Sequence, residues 1–182
     1  MKTITFGNPI GNGSPVAVGI DQSYGGFAIS ILEIPPQDQF FTAVAKNSSF
    51  KGVERLSELR AFLLETLDGH NIQDIAMEGY AYSATMGHTM GELGGMVKIA
   101  LFDTFGIKPL LVPPATLKKY VTGKGTGIQK NQILLNVYKK WGIEFTDDNA
   151  ADSYGLARIA AGMSEYTYEV IVLNSLKDPK FR

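Results

Sequence analysis

The stretch "VAVGIDQSYGGFAISILEI", residues 16–34, most constrains what this chain can fold into. Val16, Val18 and Ile20 alternate with smaller residues. Phe27, Ile29 and Ile31 alternate in the same way after the Gly25-Gly26 pair, the pattern of two strands joined by a tight turn. A β-hairpin is therefore expected. Its first strand ends on Asp21. A carboxylate at the end of a buried strand has to be hydrogen-bonded, paired with a cation or bound to a metal. Taken alone, Asp21 also fits a simpler role, because aspartate caps turns through its own backbone.

Alternation in "FFTAVAKNSSF" (40–50) predicts a third strand, turned back against the second by "PPQDQ" (35–39). Helical spacing of Val53, Leu56, Leu59, Leu63 and Leu67 predicts a helix over 52–70, with Gly69 as its stop signal. "DIAMEGY" (74–80) reads as a buried strand, 84–105 as a long helix, "KPLLVP" (108–113) as a further strand, and two or three helices follow, the last over 148–163. The start, "MKTITFGNPIGNGSPVAVG", reads as a short strand or arm. A meander of antiparallel strands followed by alternating helices and strands implies a mixed five-stranded α/β sheet with helices on both faces.

With 182 residues, 45% of them hydrophobic, the chain can bury one substantial core, and one domain over 1–182 is expected. Seventeen basic and eighteen acidic residues nearly cancel, so a nucleic-acid surface has to come from local segregation of charge. The absence of cysteine excludes disulfides and thiolate metal sites. No stretch is long and apolar enough to span a membrane, and a cytoplasmic or virus-encoded intracellular protein is expected, with no membrane partner.

The acids gain meaning on this scaffold. Glu78 ends the strand "IAMEGY" as Asp21 ends the hairpin's first strand. If those strands are adjacent and parallel, the two carboxylates lie side by side, and a bound divalent cation is the usual remedy for their repulsion. In "TDDNAADSYGLA", Asp148 and Asp152 are four apart and share a helix face. Each also has an ordinary explanation: Asp148 as the cap of the helix N-terminus, Asp152 as an acid favoured by the helix dipole. With only His70 and His88 as further metal-binding side chains, zinc is poorly supported, whereas oxygen ligands suit Mg²⁺ or Mn²⁺.

Four segments taken in order, "VGIDQSYGGFAI", "IAMEGYAYSATMGHTMGELGG", "LKKYVTGKGTGIQKNQI" and "DDNAADSYGLARIA", resemble the RuvC-type Holliday-junction resolvases of the RNase H-like superfamily over roughly residues 16–162. The resemblance implies an RNase H-like sheet and a homodimer that cuts four-way DNA junctions with Mg²⁺ or Mn²⁺. Asp21, Glu78 and Asp152 match the family's acids. The family position three residues before the last acid is Asn149 here, so Asp148, or else Asp147, has to supply the fourth carboxylate, with the Asn149 carbonyl as a reserve ligand. Two ions about 3.5–4 Å apart activate a water and stabilise both the attacking and the leaving oxygens in such hydrolysis.

Charge segregation points to the same substrate. Between Thr104 and Ile143 there is no acid, but there are seven lysines: Lys108, Lys118, Lys119, Lys124, Lys130, Lys139 and Lys140. They surround the glycine-rich "TGKGTG", a loop able to approach a phosphate backbone. A lysine-rich helix face is otherwise simply solvated. By resemblance, Lys118 and Lys130 fall near the scissile phosphate, and Lys119 and Lys124 contact the DNA backbone, as would Lys139 and Lys140 at a greater distance. Tyr80 and Tyr82, just after Glu78, can stack on an unpaired base or pack in the core. Gly87, Gly91, Gly94 and Gly95 are costly in a helix, at about 1 kcal/mol each, and imply a close approach: in this family the helix contributes to the dimer interface, although packing within one subunit would serve as well. Two rivals stay open: an actin-like or sugar-kinase-type ATP-binding fragment, which shares the sheet topology, and a non-catalytic junction-binding protein.

Overall fold

The computed structural model describes residues 1–11, 13–34, 39–79 and 87–182, the side chain of Lys130 excepted. The strands are β1 (Lys2–Gly7), β2 (Pro15–Asp21), β3 (Gly26–Glu33), β4 (Phe40–Lys46), β5 (Asn71–Glu78) and β6 (Leu110–Val112). The helices are α1 (Gly52–Leu67), α2 (Gly87–Phe105), α3 (Pro114–Thr122), α4 (Lys130–Trp141), α5 (Asp148–Ala160) and α6 (Thr167–Ser175), followed by a 3₁₀ turn at Pro179–Phe181. The sheet order is β1-β4-β3-β2-β5-β6. The predicted hairpin is β2–β3, with Val18 opposite Ile31 and Asp21 opposite Ala28.

The mixed α/β class holds, with six strands in place of the expected five. The additional strand is the N-terminal segment, paired antiparallel with β4 from Lys2↔Lys46 to Gly7↔Phe41. β5 and β6 run parallel to β2. No helix among the described residues is long and apolar enough to cross a membrane.

Both faces of the central strands are covered, so β2 and β3 are buried along nearly their whole length rather than on one side. On one face Val16, Val18, Ile20, Ile75 and Met77 pack with Leu59, Leu63 and Leu67 of α1 and with Leu93 and Val97 of α2. On the other, Ala28, Val44 and Ala76 pack with α5 and the helices outside it. Val53 departs from expectation: it has the helical spacing of the buried leucines but is 78% exposed in the first turn of α1, while Phe62 and Arg55 join the buried face. A repeat fixes the side of a helix but not how far along it the neighbouring sheet reaches.

α5 lies directly on the backbone of β2. A Cβ built on Gly19 would fall 2.8 Å from the Leu156 carbonyl carbon, and closer still to the Ser153 oxygen and the Ala157 nitrogen. Only glycine leaves room for that approach. A row of buried hydroxyls fixes the helix's rotation: Ser153 bonds Ser30 at 2.8 Å, and Ser30 bonds Thr42 at 2.7 Å.

Candidate active site

The parallel register of β2 and β5, ending at Ile20↔Met77, brings the next residue of each, Asp21 and Glu78, side by side. Side chains alternate along a strand. Gly19 lies under α5 and Ala76 belongs to the core on that side, so Asp21 and Glu78 also belong to the α5 face. Gln22 ties the two strand ends together, its amide Nε2 donating to the Glu78 carbonyl at 2.7 Å. Asp21 is 4% exposed.

α5 runs over the same end of the sheet. Its first turn sits above Gly26, where a Cβ would collide with the Asn149 side chain, while Ser153 and Ala157 lie over Gly19. Gly26 directly follows the turn after Asp21, so the N-terminal half of α5, with Asp148 and Asp152, covers the acid-bearing strand ends. A Cβ on Gly155 would touch Leu117 and Val121 of α3. Asp152 and Asp148 precede Gly155 by one and two turns and therefore share the side of α5 that looks toward α3.

The cap of α5 is Asp147, not Asp148. Its carboxylate accepts from the amides of Asn149 (3.0 Å) and Ala150 (3.2 Å) and is ion-paired with Lys46 from the end of β4. Burial pushes this carboxyl up, but the Lys46 ammonium and the helix amides outweigh it and hold it below the usual range. The Asn149 amide also donates to Asp147. Asp147 is thereby engaged in capping, and Asp148, at the first position of the helix, is left to share a face with Asp152.

The fourth wall is α3. Pro113 and Pro114 turn the chain from β6 into this helix, and the Gly79 amide bonds the Val112 carbonyl at 2.8 Å, so α3 begins beside the end of β5. Burial pushes the Glu78 carboxyl up, and the nearby Lys118 cation offsets part of that rise. A buried carboxyl with raised proton affinity beside a second carboxyl is the environment in which a bound cation relieves the most repulsion. The donor set is all oxygen and comes from β2, β5 and α5, which fits a hard divalent cation. Among the described residues, however, no three His, Asp or Glu side chains stand close enough together to hold a metal ion. The acids gather at one end of the sheet without closing into a coordination shell.

Lys119 and Lys124 are exposed, Lys124 within the glycine loop that follows α3, and Lys130 opens α4. Tyr80 and Tyr82 lie outside the described residues. His88 is exposed, and His70 sits in the turn before β5 with burial lowering its pKa.

Lys140 corrects the expectation of a DNA-facing lysine. Its ammonium is buried and ion-paired with Glu169, and it donates to the carbonyls of Tyr120 (3.1 Å) and Val121 (3.2 Å) at the end of α3. The rings of Trp141, Tyr166 and Tyr168 surround it at 4.5–5.2 Å. It joins α3, α4 and α6 and is not available to a phosphate. Lys46 and Gln22 carried no signal in the sequence. Their roles arise from strand neighbours, and the Lys46–Asp147 pair spans 101 positions of chain.

No protein-family model matches this sequence, and no curated protein does. Among solved structures, the chain is similar to Thermus thermophilus RuvC, with 22% identity and a TM-score of 0.63 over 78% of this chain and 90% of that one. It is similar also to T. thermophilus RuvC in complex with Holliday junction substrate, with 21% identity and a TM-score of 0.62 over the same shares. At this identity the likeness is one of fold, and the fold is that of RuvC.

Proposed function

We propose that this RuvC-fold chain is a structure-selective endodeoxyribonuclease that resolves four-way DNA junctions by divalent-cation-dependent hydrolysis, acting as a homodimer of single nuclease domains spanning 1–182. The observation that carries the reading is the pairing of Asp21 with Glu78 at adjacent parallel strand ends, beneath the Asp148–Asp152 side of α5 and beside Lys118. The solved RuvC complex with a Holliday junction shows that a protein of this fold can take that substrate.

Asp21, Glu78, Asp148 and Asp152 would hold the cation, Mg²⁺ or Mn²⁺ and two ions per site, drawing in around it. Bound there, the ions supply Lewis-acid stabilisation of the phosphoryl oxygens and a water of lowered pKa. The protein's own groups do the rest. Gln22 fixes the spacing of the acid-bearing strand ends through the Glu78 carbonyl. Lys118, beside Glu78, puts a positive charge where negative charge grows on the phosphate in the transition state. Lys130 acts near the same phosphate, and Lys119 and Lys124 hold the DNA backbone. Tyr80 and Tyr82 offer rings to a base unpaired at the crossover.

The second copy has a surface to meet. Among the described residues, nothing lies within 4 Å of a Cβ added to Gly87, Gly91 or Gly95 of α2, and Ile99 and Phe102 farther along the helix are exposed. A two-fold pair of such helices places two equivalent sites against the two equivalent strands of a junction.

The test is cleavage of a labelled four-way junction beside a matched linear duplex in Mg²⁺ or Mn²⁺. Wild type should cut only the junction. Asp21→Asn, Glu78→Gln, Asp148→Asn and Asp152→Asn should each remove most cleavage yet bind the junction in metal-free buffer as well as wild type or better, since each removes a charge that repels phosphate. Loss of binding in step with cleavage would refute the assignment of these acids, and wild-type binding without cleavage would favour a non-catalytic junction binder.

A further inference from the structure

Of the lysines counted from the sequence, Lys118, Lys119, Lys124, Lys130 and Lys139 lie along α3, the glycine loop and α4, whereas Lys108 stands before β6 beside Arg182, away from the acids, and Lys140 is buried. The fold brings a second group of cations to the other side of the acids. β4 ends at Lys46, which pairs with Gly26 of β3, and β3 begins just after the turn that follows Asp21. Lys2 of β1 stands directly opposite Lys46 on the antiparallel partner strand. Directly opposed residues share a face. Lys46 reaches Asp147 on the α5 face, so Lys2 lies on that face too, at the acid-bearing end. At about 4.8 Å between strands, Lys46 and Lys2 lie roughly 10 and 14 Å along the sheet from Asp21.

Like charges directly opposed across a strand pair weaken the pairing. Lys46 is compensated by Asp147, while Lys2 adds charge that the fold does not need. The loop leaving β4 carries exposed Lys51, flanked by two exposed apolar side chains, Phe50 (49%) and Val53 (78%). This loop stays at the same end: the Tyr24 hydroxyl, in the turn after Asp21, reaches the Gly52 carbonyl at 3.4 Å, and Arg55 donates to the Tyr24 carbonyl at 3.2 Å. Of the acids here, Glu58 is taken up by Arg55, Ser48 and the Met1 amine, which leaves Glu54 facing solvent.

We infer that the corner formed by β1, the end of β4 and the start of α1 is a second DNA-binding surface. Lys2 and Lys51 contact phosphates, and Phe50 packs against sugar or base, so that the substrate crosses the acids from α3 to the N-terminal edge strand. A mixture of cations and exposed apolar groups matches a polymer of phosphates, sugars and bases, and the corner is continuous with the candidate active site. The inference rests on branched DNA being the substrate of that site.

The experiment measures junction binding against salt concentration in metal-free buffer. Each phosphate contact contributes about 0.9 to the slope of log affinity against log salt. Lys2→Gln/Lys51→Gln should therefore flatten the slope by roughly 1.8. Phe50→Ala should weaken binding severalfold at the wild-type slope. The control, Lys108→Gln/Lys177→Gln, removes the same charge at the opposite end of β5, where Arg182 bonds both Asp74 and the Lys108 carbonyl and Lys177 lines a cavity with Asp74 and Arg182, and should leave the slope in place. An unchanged slope in the Lys2/Lys51 variant, or an equal fall in the control, would overturn the inference, and wild-type affinity in Phe50→Ala would overturn its apolar half. Failure of the wild-type protein to bind junctions at all would instead refute the proposed function.

Discussion

Replacing Gly19 by alanine tests the contact on which the candidate site depends. The added methyl would meet backbone on every side: 2.8 Å to the Leu156 carbonyl carbon, and less to the Ser153 oxygen and the Ala157 nitrogen. Carbon contacts are comfortable at about 3.5–4.0 Å, so α5 would have to withdraw by more than about 1 Å. Neither partner can yield by changing a rotamer. Overpacking a core typically costs about 1–3 kcal/mol, and rigid obstacles put this case at about 3 kcal/mol or above. With a urea dependence of about 1–3 kcal/mol per molar, the unfolding midpoint should drop by about 1–3 M. Gly25→Ala, a few residues away with nothing within 4 Å of its Cβ, should stay within about 0.5 kcal/mol of wild type. Under conditions where Gly19→Ala remains folded, junction cleavage should fall more than junction binding, because Asp152 adjoins Ser153 and moves with it. Equal urea midpoints for Gly19→Ala and wild type would show that α5 is not seated on β2, and the account of how its acids are positioned would fail.

On α2, Gly91→Ala and Gly95→Ala meet nothing within 4 Å among the described residues and should raise monomer stability by up to about 1 kcal/mol each; if this face packs against a second copy, sedimentation should show weaker self-association at the same time. Lys140→Met should cost about 3–5 kcal/mol in chemical denaturation, because it strands the buried Glu169 carboxylate, and much of that should return in Lys140→Met/Glu169→Met. Burial pushes the Glu169 carboxyl up, but Lys140 and the Glu165 and Tyr166 amides outweigh it and hold it below its ordinary value. The stability it contributes is therefore complete above the unfolded value of about 4.3 and is lost as pH falls through the lower folded value. Glu169→Gln should accordingly destabilise at neutral pH, with a penalty that shrinks in acid titrations below about pH 4.3.

Local pattern was a good guide wherever one element's own residues decide its fate. The hairpin followed from two alternating runs around Gly25-Gly26, and the placing of Asp21 and Glu78 at strand ends followed from the apolar residues before them. What was not legible depends on partners distant in the chain. The N-terminal segment read as a short strand or an arm, and only its pairing with β4, invisible until the sheet exists, decides for the strand. Lys139 and Lys140 are neighbours of one type, yet the first is exposed and the second buried. Their difference is made by Glu169 and two tyrosines of the region around α6, which no window around Lys140 contains. Asp147 and Asp148 posed the same problem: the sequence pointed to Asp148 as the helix cap, whereas Asp147 takes that place, engaged by Lys46, 101 positions earlier.

The seating of α5 also bears on how the chain is made. Translation delivers β2, β3, β4 and β5 long before residue 148, so for most of synthesis the face built from Gly19, Ala28 and Ala76 has no helix to cover it. A nascent chain in that state presents a twisted sheet with one side open, a surface prone to capture by other unfinished chains. The same delay keeps Asp148 and Asp152 away from Asp21 and Glu78 until residues 148–152 have emerged, so a half-made chain on the ribosome cannot bring the four acids together.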